Sequence, residues 1–262
     1  MTSTDAVFAG SIPALYDRYL GPLLFEPYAR DIAERAAALV PRRILETAAG
    51  TGIVTEALAR AVPSAAIVAT DLNQPMLDVA AGRVESPKVE FRQADAQGLP
   101  FPDASFDLVV SQFGVMFFPD RVAAYREARR VLKPGGRFLF SAWDRVENNP
   151  VTATVGRALA ALFPADVLGF YRRIPFGYHD KARIEADLRA AGFTRIALET
   201  VTLSSRVVAR EAAIGLCQGT PLRAEIEEHG GSLDEATEAA AAALAVFDGR
   251  DTPMSAHVVS AG

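Results

Sequence analysis

From Arg43 to Ala142 the chain repeats one phrase, a short apolar run followed by an amphipathic stretch, and few folds satisfy it. The runs RILET (43–47), AIVAT (66–70), VEFR (89–92), FDLVVSQ (106–112) and RFLFSA (137–142) have the length and composition of buried strands. Between them, helices are predicted over 52–61, 74–82 and 121–132, with another at 28–40 that Pro41 stops. Lys133-Pro134-Gly135-Gly136 ends the last of these, because proline cannot continue a helix and glycine supplies positive φ. Strands and helices in alternation bury both faces of a parallel sheet, so the expected class is α/β.

After Trp143 the rhythm changes. Residues 150–180 read as helix-like and loop-like pieces rich in aromatics (Phe163, Phe170, Tyr171, Phe176, Tyr178). A helix over 181–191 closes at Gly192, a sixth strand spans 195–203, an Ala-rich helical stretch covers 208–247, and 255–260 reads as a last strand.

At 262 residues the chain can bury a sizeable core, and one domain with added caps is the natural expectation. No apolar run approaches the roughly 20 residues that span a bilayer. The opening MTSTDAVFAGSIP has no basic and then apolar leader, so a cytoplasmic location is expected. Cys217 is the single cysteine, which excludes an internal disulfide and a cysteine-based zinc site, and no metal is expected. A net charge of −5 argues against a nucleic-acid partner, whose phosphates call for a basic footprint. A monomer or homodimer acting on a small molecule is expected.

The sharpest motif is ILETAAGTG (44–52), set between a buried strand and a helix. Gly50 and Gly52 allow a tight turn and a close approach to a ligand, and the following helix offers free N–H groups. A dinucleotide fingerprint would want a third glycine where Thr55 stands, and no Gly-Lys-Ser/Thr follows to make a phosphate loop. A plain strand-to-helix turn is the bland alternative. About 20 residues on, Asp71 ends the second strand, where a carboxylate can accept both hydroxyls of a ribose; a helix cap is its bland reading. Asp95 in QADA follows the third strand, where it could accept an exocyclic amine; alone it would pass for a turn aspartate. Three such signals at successive strand ends mark the carboxyl edge of a doubly wound sheet, where ligands bind.

The order ILETAAGTG, ATDLNQPML, QADAQGLPFPDASFDLVVSQFGVMFFPD and RVLKPGGRF resembles the class I methyltransferases that use S-adenosylmethionine, nearest the group of ubiquinone/menaquinone-biosynthesis enzymes. The resemblance covers about residues 10–145. It implies a Rossmann-like, mostly parallel seven-stranded sheet with helices on both faces, an N-terminal helical lid (1–27), a cofactor core (28–145), a cap or acceptor region (146–180) and C-terminal strands with a helical insertion (181–262). By position, Glu46 and the backbone of Ala48, Ala49, Gly50 and Gly52 would hold the methionine end of S-adenosylmethionine. Asp71 would take the ribose, with Leu72 and Met76 beside the adenine, and Ala94, Asp95 and Ala96 would read the adenine edge. Ser111, Gln112 and Phe113 would border the sulfonium, whose charge an aromatic face attracts, while Tyr16 and Tyr19 would reach in from the lid. The product would be S-adenosylhomocysteine.

Three departures stand out. Ala48 replaces the more usual glycine. Met116-Phe117 stands where quinone methyltransferases commonly carry Arg-Asn, which puts a quinone acceptor in doubt. The helical stretch 208–247 replaces a short hairpin between the last two strands, which puts closure of the sheet in doubt. Phe117, Phe118, Phe170, Tyr171 and Tyr178 are the candidate acceptor wall. Arg172, Arg173, Lys181 and Arg183 near it could attract an anionic acceptor, although a solvated charge run is the default reading. Methyl transfer from a sulfonium needs alignment and exclusion of water more than a dedicated base, and no triad is visible. His179 is the one candidate base. The competing readings are a non-catalytic protein that binds S-adenosylmethionine or a partner, and an NAD(P)-dependent oxidoreductase.

Overall fold

The computed structural model describes residues 8, 10–163 and 169–262. Residues 1–7 and 9 of the expected lid and 164–168 of the expected cap lie outside the described residues.

From Ile12 to Ala38 the chain is helical: α1 (Ile12–Leu15), a π-helical stretch (Tyr16–Phe25) and α2 (Glu26–Ala38). Pro22, inside the π-helical stretch, has no N–H for a regular ladder. Then follow β1 (Arg43–Thr47), α3 (Ile53–Ala61), β2 (Ala66–Asp71), α4 (Gln74–Arg83), β3 (Val89–Gln93), β4 (Phe106–Gln112), α5 (Arg121–Val131) and β5 (Leu132–Trp143). The second half holds α6 (Pro150–Ala160), α7 (Phe170–Arg173), α8 (Lys181–Ala190), β6 (Ile196–Arg206), α9 (Ala209–Gln218), α10 (Leu222–Glu228), α11 (Leu233–Leu244) and β7 (Asp251–Ala261).

All seven strands form one sheet in the order β3-β2-β1-β4-β5-β7-β6. The first five are parallel, and β7 runs antiparallel between β5 and β6. Both neighbours of β1 leave it in opposite directions along the sheet, so the carboxyl ends of β1 and β4 flank a crevice at the topological switch point. Ile44 and Leu45 of β1 and Leu108, Val109 and Val110 of β4 are fully buried, which is why these strands read as continuous apolar runs.

The helical insertion does not open the sheet. β6 pairs with β7 from Ile196↔Ala261 to Arg206↔Asp251, and β7 pairs with β5 from Phe138↔Ala261 to Trp143↔Ala256. The doubt over closure is thereby corrected: α9, α10 and α11 leave from the far end of this long hairpin, and α9 packs on the π-helical stretch and on α11. Strand β5 also begins earlier than expected, at Leu132, with a register irregularity at the Pro-Gly-Gly segment between its pairings to Phe106 and Leu108. No described helix is long and apolar enough to cross a membrane.

Candidate cofactor and acceptor site

The loop from β1 to α3 turns on three left-handed residues, Ala48 (φ 53°), Gly50 (φ 57°) and Gly52 (φ 81°). The two glycines have different work. Gly50 borders the cavity described below. A Cβ on Gly52 would stand 2.9 Å from the Ala80 Cβ and 3.1 Å from its Cα, so this glycine lets α4 pack against the loop. Ala49 is buried, with its N–H bonded to the Thr70 carbonyl at 2.9 Å. Neither Gly52 nor Ala49 borders the cavity.

Asp71, at the end of β2, is 7% exposed. Its Oδ2 accepts the Gly50 N–H at 2.9 Å and its Oδ1 accepts the Asn73 N–H at 2.8 Å. Burial pushes this carboxyl up, opposed by those amide donors. The Asn73 side-chain amide also reaches Oδ1, at 3.4 Å, so Oδ2, with one donor, is the oxygen with a lone pair to spare for a hydroxyl. One carboxylate thus fixes the glycine loop and faces the cavity.

The cavity measures about 660 Å³ and lies along the carboxyl ends of four strands. Ala48 and Gly50 border it from β1, Asp71, Leu72, Asn73 and Met76 from β2 and α4, and Ala94, Asp95, Ala96 and Gln97 from the β3 end. After β4 come Gln112, Phe113 and Gly114, then Phe117, Phe118 and Pro119; Phe8 and Tyr16 cover it from the N-terminal segment. Asp95 is exposed and accepts the Gln97 N–H at 2.8 Å. Phe113 has φ 51°, a left-handed conformation that a bulky side chain rarely takes, and its N–H is held by the Ser141 carbonyl at 3.1 Å. Its ring stacks on Trp143 with centroids 3.8 Å apart and planes 6° apart.

Several expected site residues lie elsewhere. Glu46 is fully buried beneath the loop, where Thr55 Oγ1 donates to its Oε2 at 2.7 Å; burial pushes its carboxyl up to about 8, with the Asp71 charge adding. It does not border the cavity. Ser111 is also fully buried, donating to the Thr47 carbonyl at 3.1 Å and so tying β4 to β1. Tyr19 packs by its Cβ against Gly215 of α9, and its ring lies under the Arg18 guanidinium. Tyr178 belongs to a buried cluster: it donates to Asp187 at 2.9 Å, lies 3.3 Å from the Tyr125 hydroxyl and stacks under Arg121. His179 Nδ1 is 2.7 Å from the Phe176 carbonyl, and its own carbonyl is 2.9 Å from His257 Nε2; it borders neither this cavity nor the recess beside it. Cys217 is buried, which pushes its thiol up to about 12.

Asn73, Gln97, Gly114, Pro119 and Phe8 border the cavity without having been expected there. Asn73 was findable, since an Asn two residues beyond a strand-end Asp and before Gln74-Pro75 is a helix-capping position. Gly114 had no readable signal before its neighbour was known: a Cβ on it would meet the Ala48 Cβ at 2.4 Å.

Behind Phe113 and Phe117 a second, smaller recess of about 50 Å³ opens, sharing Phe8, Tyr16, Phe113 and Phe117 with the main cavity. Its far walls are Phe25, Trp143, Phe170, Tyr171 and Phe176, with Leu216 and Thr220 from the helical insertion. No Asp, Glu, His, Lys or Arg borders it among the described residues. The Tyr171 hydroxyl already donates to the Leu216 carbonyl at 2.8 Å. Burial pushes the Tyr16 phenol well above its ordinary value, with Asp71 and Asp17 adding, so it stays protonated.

A doubly wound sheet with this crevice, an acidic residue at the end of β2 and a glycine loop after β1 is the arrangement of α/β enzymes that bind their ligand at the carboxyl edge of the sheet. Residues 45–140 match the family model described as a methyltransferase domain. The chain is 34% identical over 181 residues to a demethylmenaquinone methyltransferase of Thermus thermophilus, covering 63% of this chain and 80% of the relative. It is 33% identical over 209 residues to a demethylmenaquinone methyltransferase of Deinococcus radiodurans, covering 73% and 85%. Among solved structures, the YcgJ protein of Bacillus subtilis matches with a TM-score of 0.58 at 20% identity over 90% of this chain and 97% of that one. Phosphoethanolamine N-methyltransferase 2 of Haemonchus contortus, in complex with S-adenosyl-L-methionine, matches with a TM-score of 0.59 at 18% identity over 95% and 56%. These two likenesses speak for the fold. The chain belongs to the class I S-adenosylmethionine-dependent methyltransferases, in the group of the demethylmenaquinone and ubiquinone/menaquinone-biosynthesis enzymes.

Proposed function

We propose that the 660 Å³ cavity holds S-adenosylmethionine and that the aromatic recess receives a small, apolar, planar acceptor. The observation that carries this reading is the double engagement of Asp71, which braces Gly50 at 2.9 Å and still borders the cavity. The residues present fit the cofactor. The β2 and β3 ends supply Asp71 and Asp95 for a nucleoside. The β1 and β4 ends supply a glycine loop and the aromatic ring of Phe113. A volume of this size falls within the roughly 300–1,000 Å³ of small-molecule sites.

When bound, S-adenosylmethionine supplies a methyl group on a sulfonium, which an O, N or C nucleophile of the acceptor takes by in-line displacement. The chain's contribution is alignment and dryness. Phe113 and Phe117 stand between the two spaces and offer aromatic faces to a cationic centre. Phe8 and Tyr16, reaching over both spaces, serve as a lid that excludes water. With no titratable side chain in the recess save phenols held protonated, the acceptor must arrive nucleophilic or release its proton to water. Tyr16 is suited to donate a hydrogen bond and not to take a proton.

The relatives' names point to a quinone nucleus as acceptor. Here Met116 is buried in the core and Phe117 borders the site, so the Arg-Asn pair common in quinone methyltransferases has no counterpart at these positions. The recess favours a ring recognised by stacking. A turnover assay with labelled S-adenosylmethionine over demethylmenaquinone-type quinones, phenols, aromatic amines and aliphatic amines tests this. Methylation confined to aromatic acceptors supports the reading, and preference for a charged aliphatic amine contradicts it.

A further inference from the structure

The cavity at the carboxyl edge of the sheet is bordered by two carboxylates, Asp71 and Asp95, and by no lysine or arginine among the described residues. The opposite, amino edge has the reverse character. There α5 runs into the start of β5, α8 leads into β6, and β7 finishes between those two strands, being antiparallel to both. A cleft of about 680 Å³ opens among these ends. It is bordered by Arg126, Arg129, Arg130, Lys133 and Arg195, and by one acidic side chain, Asp103. The chain as a whole carries a net charge of −5, so composition does not account for this gathering of cations.

Two of the five cations are neutralised. Arg130 meets Glu127 at 2.8 Å and Asp103 at 2.7 Å, and Lys133 meets Asp107 at 2.8 Å. The other three have no carboxylate partner among the described residues. Arg126 reaches the Ala190 carbonyl at 3.4 Å, while the side chains of Arg129 and Arg195 make no hydrogen bond or ion pair there. A helix C-terminus favours a nearby cation, which suits Arg126 and Arg129. Arg195 lies outside any helix, and its charge has no such reason to be here.

The backbone supports one of these groups directly. Gly192 takes φ 94°, and a Cβ on it would stand 3.3 Å from Nε and Cζ of Arg129. The guanidinium therefore lies against bare backbone, which limits its motion. A guanidinium is a planar fork of donors that matches phosphate oxygens two at a time. A concave space lined by one sign of charge also concentrates the potential that draws an anion in. One phosphate monoester carries about −1.5 to −2 near neutral pH, less than three unneutralised cations can hold. Two linked phosphates match them better.

We propose that this cleft is a second ligand site, which takes the diphosphate group of a soluble small molecule through Arg126, Arg129 and Arg195. It shares no residue with the cofactor cavity and lies across the sheet from it, so the two can be filled at once.

Calorimetric titration with inorganic pyrophosphate, and with sulfate as a single tetrahedral dianion, tests the site in the wild type, Arg129→Gln, Arg195→Gln and Arg172→Gln. Arg172, exposed on α7 and 3.6 Å from Glu147, is a charge control away from the cleft. The wild type should bind pyrophosphate about tenfold or more tighter than sulfate. Arg129→Gln and Arg195→Gln should each weaken pyrophosphate binding by about tenfold, the scale of a hydrogen bond to a charged group. Arg172→Gln should change it by less than about twofold, and so should added S-adenosylhomocysteine. Arg129 and Arg195 are exposed and lie on different elements, so a folding defect in one variant leaves the other to decide. Absence of pyrophosphate binding, sulfate bound as tightly, or equal losses in all three variants overturns the site. Displacement of pyrophosphate by S-adenosylhomocysteine would place the anion in the cofactor cavity and overturns it too. Binding to phosphatidylglycerol vesicles without binding of pyrophosphate overturns it in favour of a lipid surface.

Discussion

Ala48 and Gly114 share one patch of space: a Cβ on Gly114 would lie 2.4 Å from the Ala48 Cβ, and 2.8 Å from Ser111 Oγ. Ala48 takes φ 53°, a conformation that favours glycine and costs an L-residue about 1–2 kcal/mol. The alanine in the first motif is thus accommodated by the absence of a side chain after β4. Gly114→Ala is expected to destabilise the protein by about 1–3 kcal/mol through overpacking, and to weaken S-adenosylhomocysteine binding at the same crevice. Ala48→Gly should be neutral or stabilising, and the double variant should recover part of the Gly114→Ala loss, with Ser111 still in contact. Denaturation of the four proteins as a double-mutant cycle measures it; additive effects would contradict the shared space.

Glu46 carries a pH prediction. Its native carboxyl, raised by burial to about 8, keeps its proton where an unfolded glutamate near 4.5 has lost it. Between those values the native state binds more protons, so stability falls as pH rises through this window. The loss attributable to Glu46 is at most about 5 kcal/mol. Glu46→Gln keeps an acceptor for Thr55 Oγ1 and removes the titration. Urea unfolding between pH 5.5 and 8.5 should show the wild type losing ground to this variant as pH rises. A difference flat in pH contradicts a raised Glu46.

Arg83 of α4 latches the N-terminal segment to the motif loop. It meets Asp17 of the π-helical stretch at 2.5 Å and Glu56 of α3 at 3.2 Å, and its Nε donates to the Thr51 carbonyl at 3.1 Å. Asp17 follows Tyr16, which covers the cavity. Arg83→Met should speed S-adenosylhomocysteine dissociation by about three- to thirtyfold, as befits partly buried charged hydrogen bonds. Stopped-flow displacement reads this rate, and an unchanged value would remove the latch.

His179 is held by backbone carbonyl contacts away from both spaces. His179→Ala should keep kcat within about threefold of wild type and leave its pH profile unmoved, since no proton passes through it. A loss of a hundredfold with normal cofactor affinity would restore it as a base.

Much of the first half was legible in the residues, because buried parallel strands leave apolar runs with sharp ends. β1 and β4 begin and end where their runs do, and α4 and α5 stop within a residue of expectation. The sequence pattern ends the β6–β7 hairpin early, at 195–203 and 255–260, because its far end is polar (Ser204, Ser205, Arg206 against Asp251, Thr252, Pro253). The π-helical stretch left no signal beyond Gly21-Pro22. Within the site, motif order brought Asp71, Asp95, Gly50 and Gln112 to one cavity, but it does not say which way a side chain points. Ser111 and Gln112 are neighbours on β4, and successive strand residues face opposite sides, so only one of the two could have entered the crevice. Glu46 and Gly52 serve the loop's own packing, a role the motif conceals. Tyr171 and Leu216 come together from distant segments through tertiary packing that no local pattern encodes.

The crystal structure of the protein with S-adenosylhomocysteine, accompanied by titration of Asp71→Ala, tests the central claim most directly. The ribose hydroxyls should lie on Asp71, the adenine edge at Asp95 and Ala96, and the sulfur beside Phe113, facing the aromatic recess; Asp71→Ala should lose affinity by about tenfold or more. A ligand bound outside the β1–β4 crevice, or Asp71→Ala binding as tightly as wild type, would contradict it.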